Sequence, residues 1–439
     1  MTNSNRNTDR RYVGVKVTGA ALLIILIGGL FLLLSLIIPV RILLWILACL
    51  VVLLLVVLAV GAIIPFHPDE IILMQGNEAI SDLDRKLLEM ALSKEISQAE
   101  LDDFLNDWDI EVAPIKSVML LAYLMKTRPD LKFHEITPRL DGVLSFCKFQ
   151  NVKRQAHLSK VGKVLNKEGI PFAILKGGAM KVYRPDFPRW MNDIDIIVPE
   201  ADYQRVVELV MGMGYDKPMK TDHSVDLHLP GSDEGLLDIH ERMEMFTGLE
   251  EAYNEGLFTR SEEVPMFSVR GLLPCPEDMV FIAFVNLYKN LAKNQTPESI
   301  ITTFFDMKYL ISLKPGFDWE IVKDSARKTG TEFQVYYSVV FLSSIIPNVF
   351  PVKLLEPDLS DKELENQLLD FLFRRDVVSE ARDSLSRTSV GASLQKGYNP
   401  IVFMWVSFVS LLKRVFSNRL IKKTLLVFRY RVLPNFKLS

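Results

Sequence analysis

Two uninterrupted apolar runs at the start of the chain constrain it more than any other feature. No charged residue occurs between Lys16 and Arg41, and none between Arg41 and Asp69. The runs 17–40 and 42–66 each exceed the ~20 residues that cross a hydrocarbon core as a helix. The joint at Pro39-Val40-Arg41 is too short for anything but an antiparallel hairpin. One continuous helix is disfavoured, because Pro39 would break it and Arg41 would sit at mid-span. A signal peptide fits the basic start (Arg6, Arg10, Arg11, Lys16), but its apolar region is only ~7–15 residues and no second span follows it. The excess of basic residues before the first run places the N-terminus in the cytosol, and an even number of spans returns the chain there. The expectation is therefore a cell-membrane protein with two spans and its soluble part on the cytoplasmic side.

The remaining chain reads as ordinary and globular. Of 439 residues, 51 are Lys or Arg and 54 Asp or Glu, so the net charge is −3, and no global excess of positive charge points to nucleic acid. The three cysteines, Cys49, Cys147 and Cys275, are scattered, with neither metal-ligand spacing nor a disulfide framework.

From 67 to 169 apolar residues recur at three- and four-residue spacing in DLDRKLLEMAL, SQAELDDFLNDW, VMLLAYLMK and HLSKVGKVLNKEG, with Ser81 and Ser97 as caps and Gly169 as a stop. The period then changes. IPFAILKG, DIDIIVP, VDLHL and GLLDIHERM read as strands around one amphipathic helix, DYQRVVELVMGMG, over 170–250. Helices return over 251–398, beginning with PEDMVFIAFVNLYKNLAK, where Pro276, Glu277 and Asp278 suit a first turn. In the last segment, 399–439, a 12-residue apolar stretch too short to span precedes KRVFSNRLIKKTLLVFRYR. That stretch reads either as a membrane-surface helix or as a packed helix with a solvated basic end. The expected fold class is α+β: a transmembrane hairpin, then a small mixed-sheet core embedded between helical regions.

Chemistry concentrates in FAILKGGAMKVYRPDFPRWMNDIDIIV. Asp193 and Asp195 are one residue apart in an apolar strand, so both carboxylates project from one face. Such a pair repels itself unless a cation lies between, and oxygen ligands of this kind suit Mg²⁺ or Mn²⁺. Two carboxylates bridging two ions is an arrangement for in-line phosphoryl displacement. Asp-x-Asp alone is common by chance in a chain this acidic. The neighbourhood strengthens it: Lys176-Gly177-Gly178 ends the preceding strand, where amides and an ammonium could meet a phosphate, and Asp238 in LLDIH supplies a third carboxylate.

This set, ILKGGAM with Tyr183, Arg189, NDIDIIV and LDIHER, resembles the uncharacterised bacterial nucleotidyltransferase family of the polymerase-beta-like superfamily. LLPCPEDMVFIAF and TTFFDMKYLISL are similar to its helical region, with Asp306 at its Leu-Asp signature. The resemblance covers roughly residues 87–313. It implies a metal-dependent enzyme that transfers NMP from an NTP to an acceptor and releases pyrophosphate. It further implies that Asp193, Asp195 and Asp238 hold the cations and act in catalysis, and that Lys176, Gly177, Gly178 and Arg189 bind the triphosphate. Arg189 could equally form a structural ion pair, and His228 and His240 read more readily as strand-packing residues. Tyr183 and Trp190 could be core or base-stacking residues. Three departures from the family pattern stand out: 14 residues between Gly178 and Asp193, Glu241 where an aromatic is usual, and Asn286 and Lys289 in place of histidines. A non-catalytic NTP sensor or scaffold is the alternative function. An anchor beside a lipid bilayer would favour a membrane-associated acceptor, with a soluble metabolite as the other reading.

Overall fold

The computed structural model describes residues 68–373, apart from 94, 186–188, 190, 192, 221–223, 229–234, 244–249 and 293–296, together with Trp45 and Cys49. Among the described residues no helix is long and apolar enough to cross a membrane. This corrects two expectations, the two-span membrane fold and the cell-membrane placement. The physical reason is plain in the longest described helix, Thr137–Lys167. Its 31 residues would reach across a bilayer, but Arg139, Asp141, Lys148, Lys153 and Arg154 alone would each have to be desolvated there. The expected spans 17–40 and 42–66 lie outside the described residues except for Trp45 and Cys49, and so does 399–439.

Residues 72–358 form one compact unit. It begins with helices α1 (Pro68–Glu78, from Ile72 onward in this unit), α2 (Asp82–Leu92), α3 (Gln98–Asp107), α4 (Ile115–Thr127) and α5 (Thr137–Lys167). The starts of α2 and α3 follow from their caps. Ser81 Oγ accepts from the Asp84 N–H, and Ser97 forms a reciprocal box with Glu100. After α5 ends, Gly169 takes a left-handed φ of 68° and turns the chain into the sheet.

The sheet strands are β1 (Ala173–Ile174), β2 (Ile194–Ile197), β3 (Asp216–Lys220), β4 (Ser224–His228), β5 (Gly235–His240), β6 (Glu262–Met266) and β7 (Val269–Leu273). Their spatial order is β3-β4-β5-β2-β1-β7-β6. The β2–β5 and β1–β7 pairs are parallel and the others antiparallel. A parallel pair needs a crossover, and helix α7 (Glu200–Gly212) lies in the one between β2 and β5. The class is therefore a mixed α/β fold with no membrane hairpin among the described residues. Helix α6 (Lys176–Tyr183) lies between β1 and β2, and α8 (Glu250–Arg260) between β5 and β6.

One face of the central strands is apolar. Ile194, Ile196, Val225, Leu227, Leu237 and Ile239 are fully buried, with α5 packed on β2 and β5 and α7 on β5. Strand alternation sends the intervening residues to the other face. Helices α9 (Pro276–Ala292), α10 (Pro297–Leu313), α11 (Trp319–Thr329) and α12 (Glu332–Ile345) complete the unit, with α9 packed on α10, α11, α12 and α6. Helix α13 (Asp361–Phe373) belongs to a second unit and is opened by a reciprocal Ser360–Glu363 cap.

Candidate active site

The sheet register aligns the acidic residues. Asp195 on β2 pairs with Asp238 on β5, and Asp238 pairs with Asp226 on β4. Three carboxylates thus form one row across three adjacent strands on the same face. Asp193, immediately before β2, is two residues from Asp195 and belongs to that face. His240 and His228 share it for the same reason, each two residues beyond an aspartate.

His240 joins the row. Its Nε2 lies 3.0 Å from Asp195 Oδ1 and 3.1 Å from Asp238 Oδ2. Ligand atoms of Asp195, Asp238 and His240 lie within 4.8 Å of one another. Lys176 Nζ donates to Asp195 Oδ1 from the first residue of α6. Lys176 itself adopts φ 45°, a conformation costly for a residue with a Cβ, and the Leu175 N–H bonds the Asp195 carbonyl oxygen at 2.9 Å. The α6 start and β2 are thereby tied at the point where the charges meet.

The two glycines fall in the first turn of α6. A Cβ on Gly177 would stand 2.1 Å from Arg189 Nη1, and one on Gly178 would stand 2.7 Å from Ile174 Cδ1. Gly177 makes room for a guanidinium, and Gly178 lets the helix close on β1. Arg189 pairs with Asp306 of α10, Nε to Oδ2 at 2.8 Å. The stretch around Arg189 is held by buried Asn151 of α5, which donates to the Arg189 carbonyl oxygen at 2.6 Å and accepts from the Met191 N–H at 3.3 Å. A cavity of about 50 Å³ is lined by Lys176, Arg189, Asn286 and Asp306 among others, and one of about 10 Å³ by Lys176, His240, Asn286 and Lys289 among others. Tyr183 serves packing: its hydroxyl donates to the Pro274 carbonyl oxygen. Trp190 lies outside the described residues.

The charge balance splits the two central carboxyls. Burial, then the neighbouring Asp195 charge, pushes Asp193 up to about 6. Burial alone would also raise Asp195, but the Lys176 ammonium and the His240 hydrogen bond outweigh it and hold Asp195 below the usual carboxylate range. Lys176 and His240 are raised in turn: burial opposes, and their carboxylate partners prevail. Asp306 is pushed up to about 6 by burial, with Arg189 acting against the rise. Asp238 Oδ1 and Asp226 Oδ1 are buried and have no hydrogen-bond partner among the described residues. Carboxylate oxygens left without donors, beside an Asp-Asp-His cluster, fit a hard divalent cation.

By its sequence the chain belongs to the nucleotidyltransferase class. The chain is a member of the uncharacterised nucleotidyltransferase family, whose sequence profile matches residues 106–347, more than half of its length. No curated protein matches it. Two solved structures are similar. The solution structure of the antibiotic-resistance factor ANT(2″)-Ia is 13% identical, with 41% of this chain and 93% of that one covered and a TM-score of 0.31. An antigenic nucleotidyltransferase-like protein from Paracoccidioides brasiliensis is 14% identical, with 44% and 97% covered and a TM-score of 0.29. At these scores neither carries an argument about this chain.

The predicted residues Lys176, Asp193, Asp195 and Asp238 lie around one another, and Arg189 stands across Gly177 from them with Asp306. Sequence reasoning set His240 aside as a packing residue, yet it bridges two carboxylates. It also passed over Asp226 and Asn151. A signal for Asp226 was present: Val225-Asp226-Leu227-His228 and Leu237-Asp238-Ile239-His240 repeat one Asp-x-His pattern on neighbouring strands.

Proposed function

We propose that this protein transfers NMP from an NTP to a hydroxyl-bearing acceptor, releasing pyrophosphate, with a divalent cation, Mg²⁺ or Mn²⁺, held by Asp193, Asp195, Asp238 and His240. The observation that carries this reading is the in-register pair Asp195–Asp238 with His240 bridging both. Held there, such a cation would supply charge stabilisation to the phosphoryl group in transfer. The chain's own groups do the rest. Lys176 leaves Asp195 for the incoming phosphates, so a cation of the protein is already at hand where negative charge arrives. Arg189 faces the same cavity and takes the β- and γ-phosphates as a fork. Gly177 keeps the first turn of α6 thin enough for both. Asp306 and Asn151 fix the Arg189 side chain and backbone, which preserves the geometry that phosphoryl transfer depends on. Asn286 of α9 lines that cavity, and Lys289 lines the smaller one beside Lys176 and His240.

The test uses radiolabelled NTP with Mn²⁺ and a small-molecule cell extract, comparing wild type with the Asp193→Ala/Asp195→Ala double variant. Label transferred by the wild type alone supports the assignment. Equal absence of transfer and of Mn²⁺-dependent NTP binding in both proteins sinks it.

A further inference from the structure

We propose that Asp226, oriented by His228, is a further catalytic residue: it binds the attacking hydroxyl of the acceptor and takes its proton. This rests on the reading of the site as a nucleotidyltransferase centre.

The argument starts from register. Asp226 is the partner of Asp238 on the strand that lies away from Asp195. Asp195, Asp238 and Asp226 follow one another at the ~4.8 Å interstrand spacing. The first two share His240, and Lys176 lies at the Asp195 end. The nucleotide is thus assigned to the Lys176–Arg189 end, where the cationic side chains converge. The acceptor must approach the α-phosphate in line and opposite the departing pyrophosphate, and that leaves it the Asp226 end.

Asp226 is built for the part. Its Oδ2 lies 3.0 Å from His228 Nε2, two residues along the same strand face. Its Oδ1 is buried and has no hydrogen-bond partner among the described residues. One oxygen is held by His228 and the other is left as an acceptor. The side chain as a whole stays 36% exposed, and that of His228 18%, so the pair borders solvent from which an acceptor enters.

The step balances without a further reactant. The acceptor oxygen forms a bond to the α-phosphorus, and the bond from that phosphorus to the β-phosphate bridging oxygen breaks. Pyrophosphate leaves with the electron pair, and the hydroxyl proton passes to Asp226 Oδ1 and then to water. His228 does not touch the substrate. It positions Asp226 by donating Nε2–H to Oδ2.

The experiment measures Mn²⁺-dependent NTP affinity, label transfer to the extract, and thermal stability for wild type, Asp226→Asn, His228→Ala and His228→Gln. Loss of general-base action costs roughly 10²–10⁴-fold in rate. The expected result is a fall of that size in kcat for Asp226→Asn, with nucleotide affinity and melting temperature close to wild type. His228→Ala should lose kcat, and His228→Gln, whose amide can still donate, should recover part of it. Transfer by Asp226→Asn within about threefold of wild type overturns the proposal and leaves the nucleotidyltransferase reading standing. Absence of Mn²⁺-dependent NTP binding in all four proteins overturns both. A loss of nucleotide affinity equal to the loss of rate also overturns it, since Asp226 would then serve the donor and not the acceptor.

Discussion

Two buried charge clusters in this unit are built on opposite plans. The first, at the start of α9, is complete. Asp278 is fully buried, receives Arg260 Nε and Nη2 at 2.9 and 2.7 Å, and accepts from the Tyr253 hydroxyl at 3.0 Å and the Cys275 thiol at 3.2 Å. One carboxylate meets one guanidinium in a bidentate pair, and neither Asp278 oxygen is left over. The second, on β2, β5 and β4, is unbalanced. Asp193, Asp195, Asp238 and Asp226 face Lys176 and the two histidines, and two carboxylate oxygens stay buried without a donor among the described residues. A cluster that satisfies itself serves the fold. A cluster that keeps surplus negative charge in a low dielectric costs stability, and it is retained where something else must bind.

That contrast can be broken from either side. The largest effect is expected from Asp238→Asn. Transfer should fall roughly 10³-fold, the scale of losing a key electrostatic group, while the melting temperature holds or rises because a repelling charge is gone. A drop in melting temperature without loss of transfer would assign Asp238 to the fold instead.

Asp278→Ala should behave in the opposite way. It leaves Arg260 and the Tyr253 hydroxyl without their shared partner, at a cost of about 3 kcal/mol in unfolding free energy. Chemical denaturation should register the loss while Mn²⁺-dependent NTP binding by the folded protein stays close to wild type. Equal losses of both would erase the distinction between the clusters.

A third measurement compares Asp306→Asn with wild type across pH. The Asp306 carboxyl is raised to about 6 in the folded protein, against ~3.9 in an unfolded chain. A raised folded value means that the folded state binds more protons between those two points. Stability from this group is therefore full below about pH 4 and is lost as pH rises through about 6. The stability of wild type relative to Asp306→Asn should fall by up to about 3 kcal/mol over that window, and a flat difference would exclude the linkage.

The smallest effect is expected from Gly177→Ala. The new methyl displaces the Arg189 guanidinium, the flexible end of a long side chain, so stability should change by about 1 kcal/mol or less. NTP affinity should fall by about tenfold, worth ~1.4 kcal/mol. Unchanged affinity would leave Arg189 with its ion pair alone.

Much of the local structure was legible in the sequence. DLDRKLLEMAL and SQAELDDFLNDW became α2 and α3 with the serine caps expected, because capping is decided within three residues. The helix from Pro276 also matched its periodicity within a residue. Other elements were not legible. Lys176–Tyr183 was read as a strand end and a connector and is a helix, since Gly177 and Gly178 weaken the helical signal that packing on Ile174 restores. EEVPM and VRGLL carry little alternation and gave no strand reading, yet their pairing with each other and with β1 makes them β6 and β7. The two apolar runs, from which length and hydropathy assigned a solvent, lie outside the described residues apart from Trp45 and Cys49, and no described helix is long and apolar enough to cross a membrane.

The sequence by itself determined the chemistry that is available. Asp193 and Asp195 share a face by strand alternation, Lys176 and the glycines stand a fixed distance ahead of them, and Asp238 lies in a second apolar strand. Only the tertiary structure decided which of these groups meet. Register between β2, β5 and β4 set Asp195, Asp238 and Asp226 in one row. Packing of α10 against that end of the unit gave Arg189 its Asp306, and parallel pairing brought His240 between two carboxylates that are 43 positions apart in number, Asp195 and Asp238. The reason is physical. Alternation and capping act over two to four residues and are written locally, whereas register and helix docking are chosen by the burial of whole apolar faces, which no single segment encodes.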